Sequence, residues 1–372
     1  MGTSIRSTDE GSRCKLTLVD GDEEVARLTV EDREMRLGAS WVRMGGIASV
    51  RTSPRQRNKG YGRRLMEGAI DYMRDEGCLV SVLFGIPAFY HRVGYATVLL
   101  AKSVIRVRTE AAESLTAACR VRSARAGEEE ALLAIYREEI AARTGTVKRT
   151  EAAFAPWYDE ADEWFQEPRR ILVAEEDGRP VAYALSEQGW LSHSEWRPQS
   201  NEIAVPPEGV ATAGASLIRA LAAEASERRA EWLELELPPD APLLAVLRTI
   251  GFRQETVYSH NQGGMGRIVN LSGLATALTD EVRDRAGRWD LDDRVGRIAF
   301  TCDTERAEIE VGAGRTLAVN LPQQNLLQLL MGYRSITELR LEFPACVAEE
   351  DVAAVDALFP GGYPYMWNLD HF

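Results

Sequence analysis

One stretch, Met44–Tyr95, constrains the fold of this chain more than any other: MGGIASVRTSPRQRNKGYGRRLMEGAIDYMRDEGCLVSVLFGIPAFYHRVGY. Ile47–Val50 reads as a short apolar strand between Gly45-Gly46 and the turn signal Thr52-Ser53-Pro54. The basic turn Arg57-Asn58-Lys59-Gly60-Tyr61-Gly62 follows. Next, Leu65, Met66, Ala69, Ile70 and Met73 recur at helical spacing and form a single apolar face. Gly77 ends that helix. Cys78–Phe84 is nearly unbroken apolar sequence, as expected of a strand buried on both faces beside a parallel neighbour. Strand, crossover helix and strand together make one right-handed βαβ unit.

The turn brings the first chemistry. A helix N-terminus offers unpaired backbone N–H groups and the positive end of the helix dipole. Gly60 and Gly62 carry no Cβ, so a ligand can approach their backbone. Arg57, Lys59 and Arg63 add fixed positive charge. The sum suits a pyrophosphate. A bare R-x-x-G-x-G is equally compatible with an ordinary basic surface turn. Its place between a strand and a helix, with Tyr90 beyond the next strand, favours the ligand site.

Arg57-x-x-Gly60-x-Gly62, backed by Tyr90-x-Arg92-Val93-Gly94-Tyr95, resembles the acetyl-CoA loop and C-terminal signature of the GCN5-related N-acetyltransferases. Over its full length the chain resembles the bacterial enhanced-intracellular-survival family. That resemblance implies an α/β (α+β) protein with mixed sheets: tandem acyltransferase folds plus a C-terminal sterol-carrier-like domain. The implied boundaries are a catalytic domain at 1–110, a degenerate second copy at 119–263 and the sterol-carrier-like domain at 264–372. It also implies acetyl-CoA as co-substrate, aminoglycoside-like, lysine or polyamine-type amine acceptors in a roomy acidic pocket, and a homo-oligomer, commonly a hexamer. The family opens with a strand and one or two helices that wall the acceptor site. Here only about a dozen residues precede the first clear strand. An open acceptor site, a covering segment from elsewhere and a shortened chain all remain compatible with that.

Composition sets bounds. The 372 residues, 45% hydrophobic and 27% charged, fit two or three globular domains. A net charge of −13 argues against bulk nucleic-acid binding. The five cysteines are an odd number with no C-x-x-C, so neither a disulfide framework nor a zinc site is expected, and a reducing cytoplasm fits. No apolar run is long enough to span a membrane, and the first ten residues do not read as a signal peptide.

In chain order, residues 1 to about 12 are polar and expected to fray. Lys15–Val19 and Glu24–Val30 flank the hairpin signal Asp20-Gly21-Asp22, and a third strand is expected at Glu34–Leu37. Thr97–Val107 reads as a strand and Glu110–Ala118 as a linker. Helices are expected at Glu128–Ala142 and Glu151–Trp164, and a hairpin at Arg170–Glu175 and Pro180–Ser186. The opening plan then returns: strand Glu202–Val205, helix Ala213–Ser226, strand Trp232–Leu237. Leu247-Arg248-Thr249-Ile250-Gly251-Phe252 echoes Tyr90–Tyr95. This copy has Pro206-Pro207-Glu208-Gly209 in place of the basic turn and Leu247 in place of Tyr90, so it keeps the architecture without the ligand machinery. Gly263–Gly266 reads as the next boundary, followed by strands at Arg297–Cys302, Ala307–Val311 and Thr316–Val319 and helices at Pro322–Leu330 and Glu349–Leu358.

Attack of an amine on a thioester needs a held donor, a neutral amine, a stabilised oxyanion and a proton for the departing thiolate. Tyr90 is the candidate acid. A thiol titrates near ~8.5 and a tyrosine near ~10, so that transfer is uphill by ~2 kcal/mol unless the site lowers the phenol or reprotonates it quickly. The resemblance assigns the base's place to the C-terminal carboxylate, that of Phe372. Its ordinary pKa of ~3.5 against ~10.4 for an ammonium leaves ~9 kcal/mol, too much for simple proton abstraction. Orienting the amine, stabilising its charge or relaying through water is the better reading. The resemblance also assigns Val50, Arg51 and Thr52 to the pantetheine and acetyl groups, Asn58, Lys59, Gly60, Tyr61, Gly62 and Arg63 (with Arg57) to the pyrophosphate, and Gly85 and Ile86 to the far wall. His91 beside Tyr90 is a candidate functional histidine but reads as an inert surface residue. His193, His260 and His371 are scattered, so no metal is expected. The Trp-rich stretch Trp157–Trp196 is either core or an aromatic pocket for a cationic amine. The alternative to an enzyme is a non-catalytic acyl-CoA or lipid-binding protein.

Overall fold

The computed structural model describes residues 2–155, 170–191, 195–303 and 305–372, with backbone alone at 187–191 and 195–199. The expected helix Glu151–Trp164 therefore lies largely outside the described residues, as do Trp157, Trp164 and His193; Glu151–Ala153 forms a single short turn.

Two seven-stranded mixed sheets and one three-stranded sheet carry the chain. The strands are β1 (Thr3–Asp9), β2 (Arg13–Asp20), β3 (Glu23–Leu37), β4 (Ser40–Thr52), β5 (Val80–Gly85), β6 (Ala96–Thr97), β7 (Lys102–Arg108), β8 (Arg120–Ser123) and β9 (Arg170–Glu176). Then come β10 (Arg179–Leu191), β11 (Glu195–Ala204), β12 (Trp232–Glu236), β13 (Arg253–Val257), β14 (Gly263–Ile268), β15 (Val295–Thr301), β16 (Arg306–Glu310) and β17 (Arg315–Asn320). The first sheet runs β1-β2-β3-β4-β5-β14-β6, the second β13-β7-β12-β11-β10-β9-β8, the third β16-β15-β17.

In the first sheet β4 and β5 are parallel, joined by helix α1 (Tyr61–Asp75). The helix forms where the sequence places it. Leu65, Met66, Ala69, Ile70 and Met73 are its buried face, the four larger side chains each contributing about 2 kcal/mol from apolar burial. They pack against Leu16, Leu28 and Ile47 of the sheet. The opposite face of the sheet is covered at one end by the helix Leu271–Arg288, whose Leu271, Leu274 and Leu278 share a core with Met35, Val42, Met44, Val80 and Val82. The second sheet repeats the arrangement: β11 and β12 are parallel, with the helix Ala215–Glu227 between them in sequence.

Several expectations are corrected. Residues 3–9 are not frayed. They form β1, an edge strand paired along its length with β2, whose polar side chains suit an exposed edge and whose Ile5 reaches Gly68 of α1. Glu34–Leu37 is no separate strand but the end of β3, which bends at two register shifts instead of breaking. Thr97–Val107 is two strands in two different sheets, β6 in the first and β7 in the second. Glu110–Ala118 is not a free linker: Thr109–Glu113 is helical with Ala112 fully buried. Gly263–Gly266 is not a loop but the start of β14, wedged between β5 and β6. Its glycines serve close packing, since a Cβ on Gly264 would lie 2.7 Å from Leu99 and one on Gly266 2.7 Å from Val98.

The two large sheets thus exchange strands. β7, which follows the first βαβ unit, sits in the second sheet beside β12, and β14, which follows the second unit, sits in the first sheet beside β5.

Candidate active site

The site begins where β4 and β5 part. Their parallel ladder runs from Met44↔Val80 to Ile47↔Leu83 and stops. Beyond it β4 continues to Thr52 with β3 alone, and β5 continues to Gly85 with β14 alone. The separation follows a bulge: Leu28 faces an extra β4 residue between Ala48 and Arg51, and Ser49 takes φ +53°. Ala48–Thr52 therefore present a backbone edge with no strand opposite on the β5 side. Such an edge pairs readily with an extended ligand carrying amides of its own.

Beyond that edge lies the basic turn. Asn58 and Gly60 both take positive φ, 63° and 82°, and the space where a Gly60 Cβ would point is clear within 4 Å. Gly60 caps α1 without a side-chain hydrogen bond, so the first amides of the helix point at solvent. A cleft of about 1150 Å³ joins the two features. Of the residues expected at the site, Val50, Arg51, Thr52, Arg57, Asn58, Gly60, Tyr61, Gly62, Arg63, Ile86 and Tyr90 line it. Lys59 does not; its Nζ is hydrogen-bonded to Gln56 at 2.7 Å. Gly85 stands behind the wall, where a Cβ would lie 2.7 Å from the Tyr90 ring, so its bareness admits the tyrosine. Sequence reasoning missed Val25, Ala26, Arg27, Phe89 and Arg92, which also line the cleft. For Phe89 and Arg92 the signal was adjacency to Tyr90; for the β3 residues no signal distinguishes them from other strand positions.

Glu24 is the sole carboxylate among the described lining residues, against Arg27, Arg51, Arg57, Arg63 and Arg92. The cleft suits phosphates and is not the acidic acceptor pocket expected from the resemblance. Gly60 and the uncapped helix leave a cradle at van der Waals reach, so the residues present fit a coenzyme A pyrophosphate at this end.

Tyr90 opens a short helical turn, Tyr90–Val93, with its ring edge-on to Phe89 at 4.8 Å. It is 8% exposed, and burial alone pushes its phenol above the ordinary value. The direction is opposite to the lowering that proton donation would favour, and it keeps the group protonated. Tyr90 packs with the core on the α1 side of the sheet.

Phe372 reaches the gap from the other face. Its ring covers Gly46, where a Cβ would lie 2.7 Å from it, and meets Phe84 edge-on at 5.8 Å. Gly46 pairs with Val82, one step before the strands part. The preceding residues explain the docking. Tyr365 and Trp367 are buried in the core of the second sheet. Asp370, 6% exposed, is held by Arg149 at 2.8 and 2.9 Å. His371 lies 3.7 Å from Phe84, and burial lowers its pKa to about 4, leaving it neutral at pH 7. His91 lies outside the cleft, against a second cavity of about 540 Å³ shared with His260 and Tyr333.

The corresponding place in the second sheet is closed. Ala213 and Gly214 at the helix start are buried, and a Cβ on Gly214 would lie 2.6 Å from Leu243. Among the described residues no group of three or more His, Cys, Asp or Glu is arranged to hold a metal, and no helix is long and apolar enough to cross a membrane.

Residues 10–98 match the family model described as an acetyltransferase (GNAT) domain. No curated protein matches the sequence. Solved structures share the fold along nearly the whole chain. A GCN5-related N-acetyltransferase from Kribbella flavida aligns at 21% identity and TM-score 0.69, covering 96% of this chain and 87% of that one. One from Anabaena variabilis ATCC 29413 aligns at 16% identity and TM-score 0.72, covering 96% and 89%. Eis1 from Mycobacterium abscessus aligns at 19% identity and TM-score 0.69, covering 96% and 90%.

Proposed function

We propose that this chain, an acyltransferase with a GNAT acetyltransferase domain at residues 10–98, moves the acetyl group of acetyl-CoA directly onto a primary amine at the gap between β4 and β5. The observation that carries the reading is the continuity of one cleft from the uncapped, arginine-flanked start of α1 to the open backbone edge of Val50–Thr52 and on to Tyr90. Pyrophosphate at the first, pantetheine along the second and thioester beside the third match the order of groups in coenzyme A. Backbone amides along the unpartnered edge meet the developing oxyanion. As the carbon–nitrogen bond forms and the carbon–sulfur bond breaks, Tyr90 gives its proton to the departing thiolate, and the proton lost by the nitrogen returns to the phenol through water. The tail that ends on Phe372 brings its carboxylate to the opposite side of the gap, where it orients the amine and offsets the charge that grows on nitrogen. The second sheet, closed at its own helix start, serves as the scaffold that holds this tail.

Tyr90→Phe tests the assignment. Amine-dependent release of free thiol is expected to fall about 10²-fold or more, with acetyl-CoA binding by calorimetry unchanged. Wild-type protein that binds acetyl-CoA but releases no thiol with any primary amine would overturn the reading in favour of a non-catalytic acyl-CoA binder.

A further inference from the structure

On the face of the first sheet away from α1, Arg27 and Arg51 stand directly opposite each other in the β3–β4 ladder. Directly opposed cross-strand side chains lie about 5 Å apart, and like charges there repel. Lys15 pairs with Thr29, two residues along β3 from Arg27, so it points to the same face. These residues, with Leu28 and Ser49, line a separate cleft of about 250 Å³. Its lining holds three cations and two hydroxyls but no carboxylate. Arg27 has an exposed partner, Glu24, at 3.4 Å, and among the described residues Lys15 and Arg51 are paired with no acid. In a chain of net charge −13 such a cluster departs from the average surface. Ser49 is the bulge residue beside the gap, and Arg27 and Arg51 line both clefts, so the cationic cleft adjoins the long cleft.

We propose that this cleft binds a compact oxyanion, carboxylate or phosphate, carried by the acceptor itself. The substrate class is then a primary amine with an anionic group a few bonds from its nitrogen, not a polycation. The inference rests on the transfer reading above. The ligand's anion relieves the Arg27–Arg51 repulsion and fixes the amine toward the thioester. Coenzyme A phosphate is the other source of the same chemistry, but the start of α1 supplies its own cations at the far end of the long cleft.

The test uses the full chain with β-alanine, γ-aminobutyrate and O-phosphoethanolamine, the methyl esters of the two amino acids, and spermidine. In the wild type, kcat/KM for the best anionic amine exceeds that of its ester by about tenfold, the size of one charge-assisted hydrogen bond. Lys15→Gln removes that preference and leaves the rate with esters and the KM for acetyl-CoA unchanged. Equal use of acid and ester, or preference for spermidine, overturns the proposal. So does a Lys15→Gln variant that raises the acetyl-CoA KM equally with every acceptor, which would assign the cleft to a coenzyme phosphate. Calorimetry of the same amines against the coenzyme A-loaded protein separates the two readings. Binding that needs Lys15 without thiol release strikes the transfer reading alone, and anionic amines that bind no better than their esters strike this one.

Discussion

Replacing Arg149 with Met gives the most severe single test of how the molecule holds its tail. Arg149 and its two carboxylates are nearly sealed, with side-chain exposures of 2% for Arg149, 1% for Glu202 and 4% for Asp370. The guanidinium reaches Glu202 at 2.6 and 2.7 Å and Asp370 at 2.8 and 2.9 Å, and lies 3.9 Å from the Tyr136 ring centroid. Burial opposes its charge, and the two carboxylates more than offset that, holding its pKa well above the ordinary value. Met fills similar volume but leaves two buried acids without a cation. Breaking a buried pair from one side costs about 3–5 kcal/mol, a large part of the roughly 5–15 kcal/mol of a whole domain. The neighbouring Lys148–Glu34 pair is the internal control: at 2.7 Å but with exposures of 52% and 47%, it is worth about 1 kcal/mol or less. Denaturant unfolding followed by tryptophan fluorescence reads both, because Trp367 is fully buried three residues from Asp370. The transition of Arg149→Met is expected to move by about 3 kcal/mol or more and that of Lys148→Met by under about 1 kcal/mol. An Arg149→Met protein within about 1 kcal/mol of wild type would refute the view that this cluster locks the tail.

Two further outcomes follow from neighbouring groups. Burial pushes Glu139 from 4.5 up to about 7, so its ionisation destabilises the fold; the penalty is absent below pH 4.5, grows through the interval and reaches about 3 kcal/mol above pH 7. Glu139→Gln should therefore raise the unfolding midpoint at pH 8 and leave it unchanged at pH 4, and equal effects at both would contradict the assignment. Gly46→Ala places a methyl 2.7 to 3.0 Å from the Phe372 ring; it should cut kcat by roughly 10²-fold through a displaced tail while the acetyl-CoA dissociation constant stays the same, and an unchanged kcat would remove Phe372 from the transfer step.

Much of the architecture was legible where one periodicity dominates. α1 declared itself because its five apolar positions fall on one stripe and nothing else in Tyr61–Asp75 competes. The helix Leu271–Arg288 went unread although Asn270 caps it, accepting from the Gly273 amide, and Leu271, Leu274, Leu278 and Val282 keep helical spacing. β1 was illegible because its stabilisation is backbone pairing, which leaves no mark in TSIRSTD beyond Ile5. At the cleft, the turn and Tyr90 were visible because glycine and charge cluster there between a strand and a helix, a pattern that core packing does not call for. The cationic cleft was not, since Lys15, Arg27 and Arg51 become neighbours only through strand register.

The exchange of strands makes the cleft at Tyr90 a joint product of distant parts of the chain. Met265 of β14 lies 2.9 Å from where a Gly85 Cβ would be, so the floor beneath Tyr90 comes from a segment 180 residues further along. Without β14, β5 would be an edge of the sheet, its outer backbone groups unpaired along Val80–Gly85. The tail that covers Gly46 is anchored in turn on Arg149 and on the core of the second sheet. The first sheet thus has its full width only with β14, and the tail lies over Gly46 only while the second sheet stands beside it to hold Tyr365, Trp367 and Asp370.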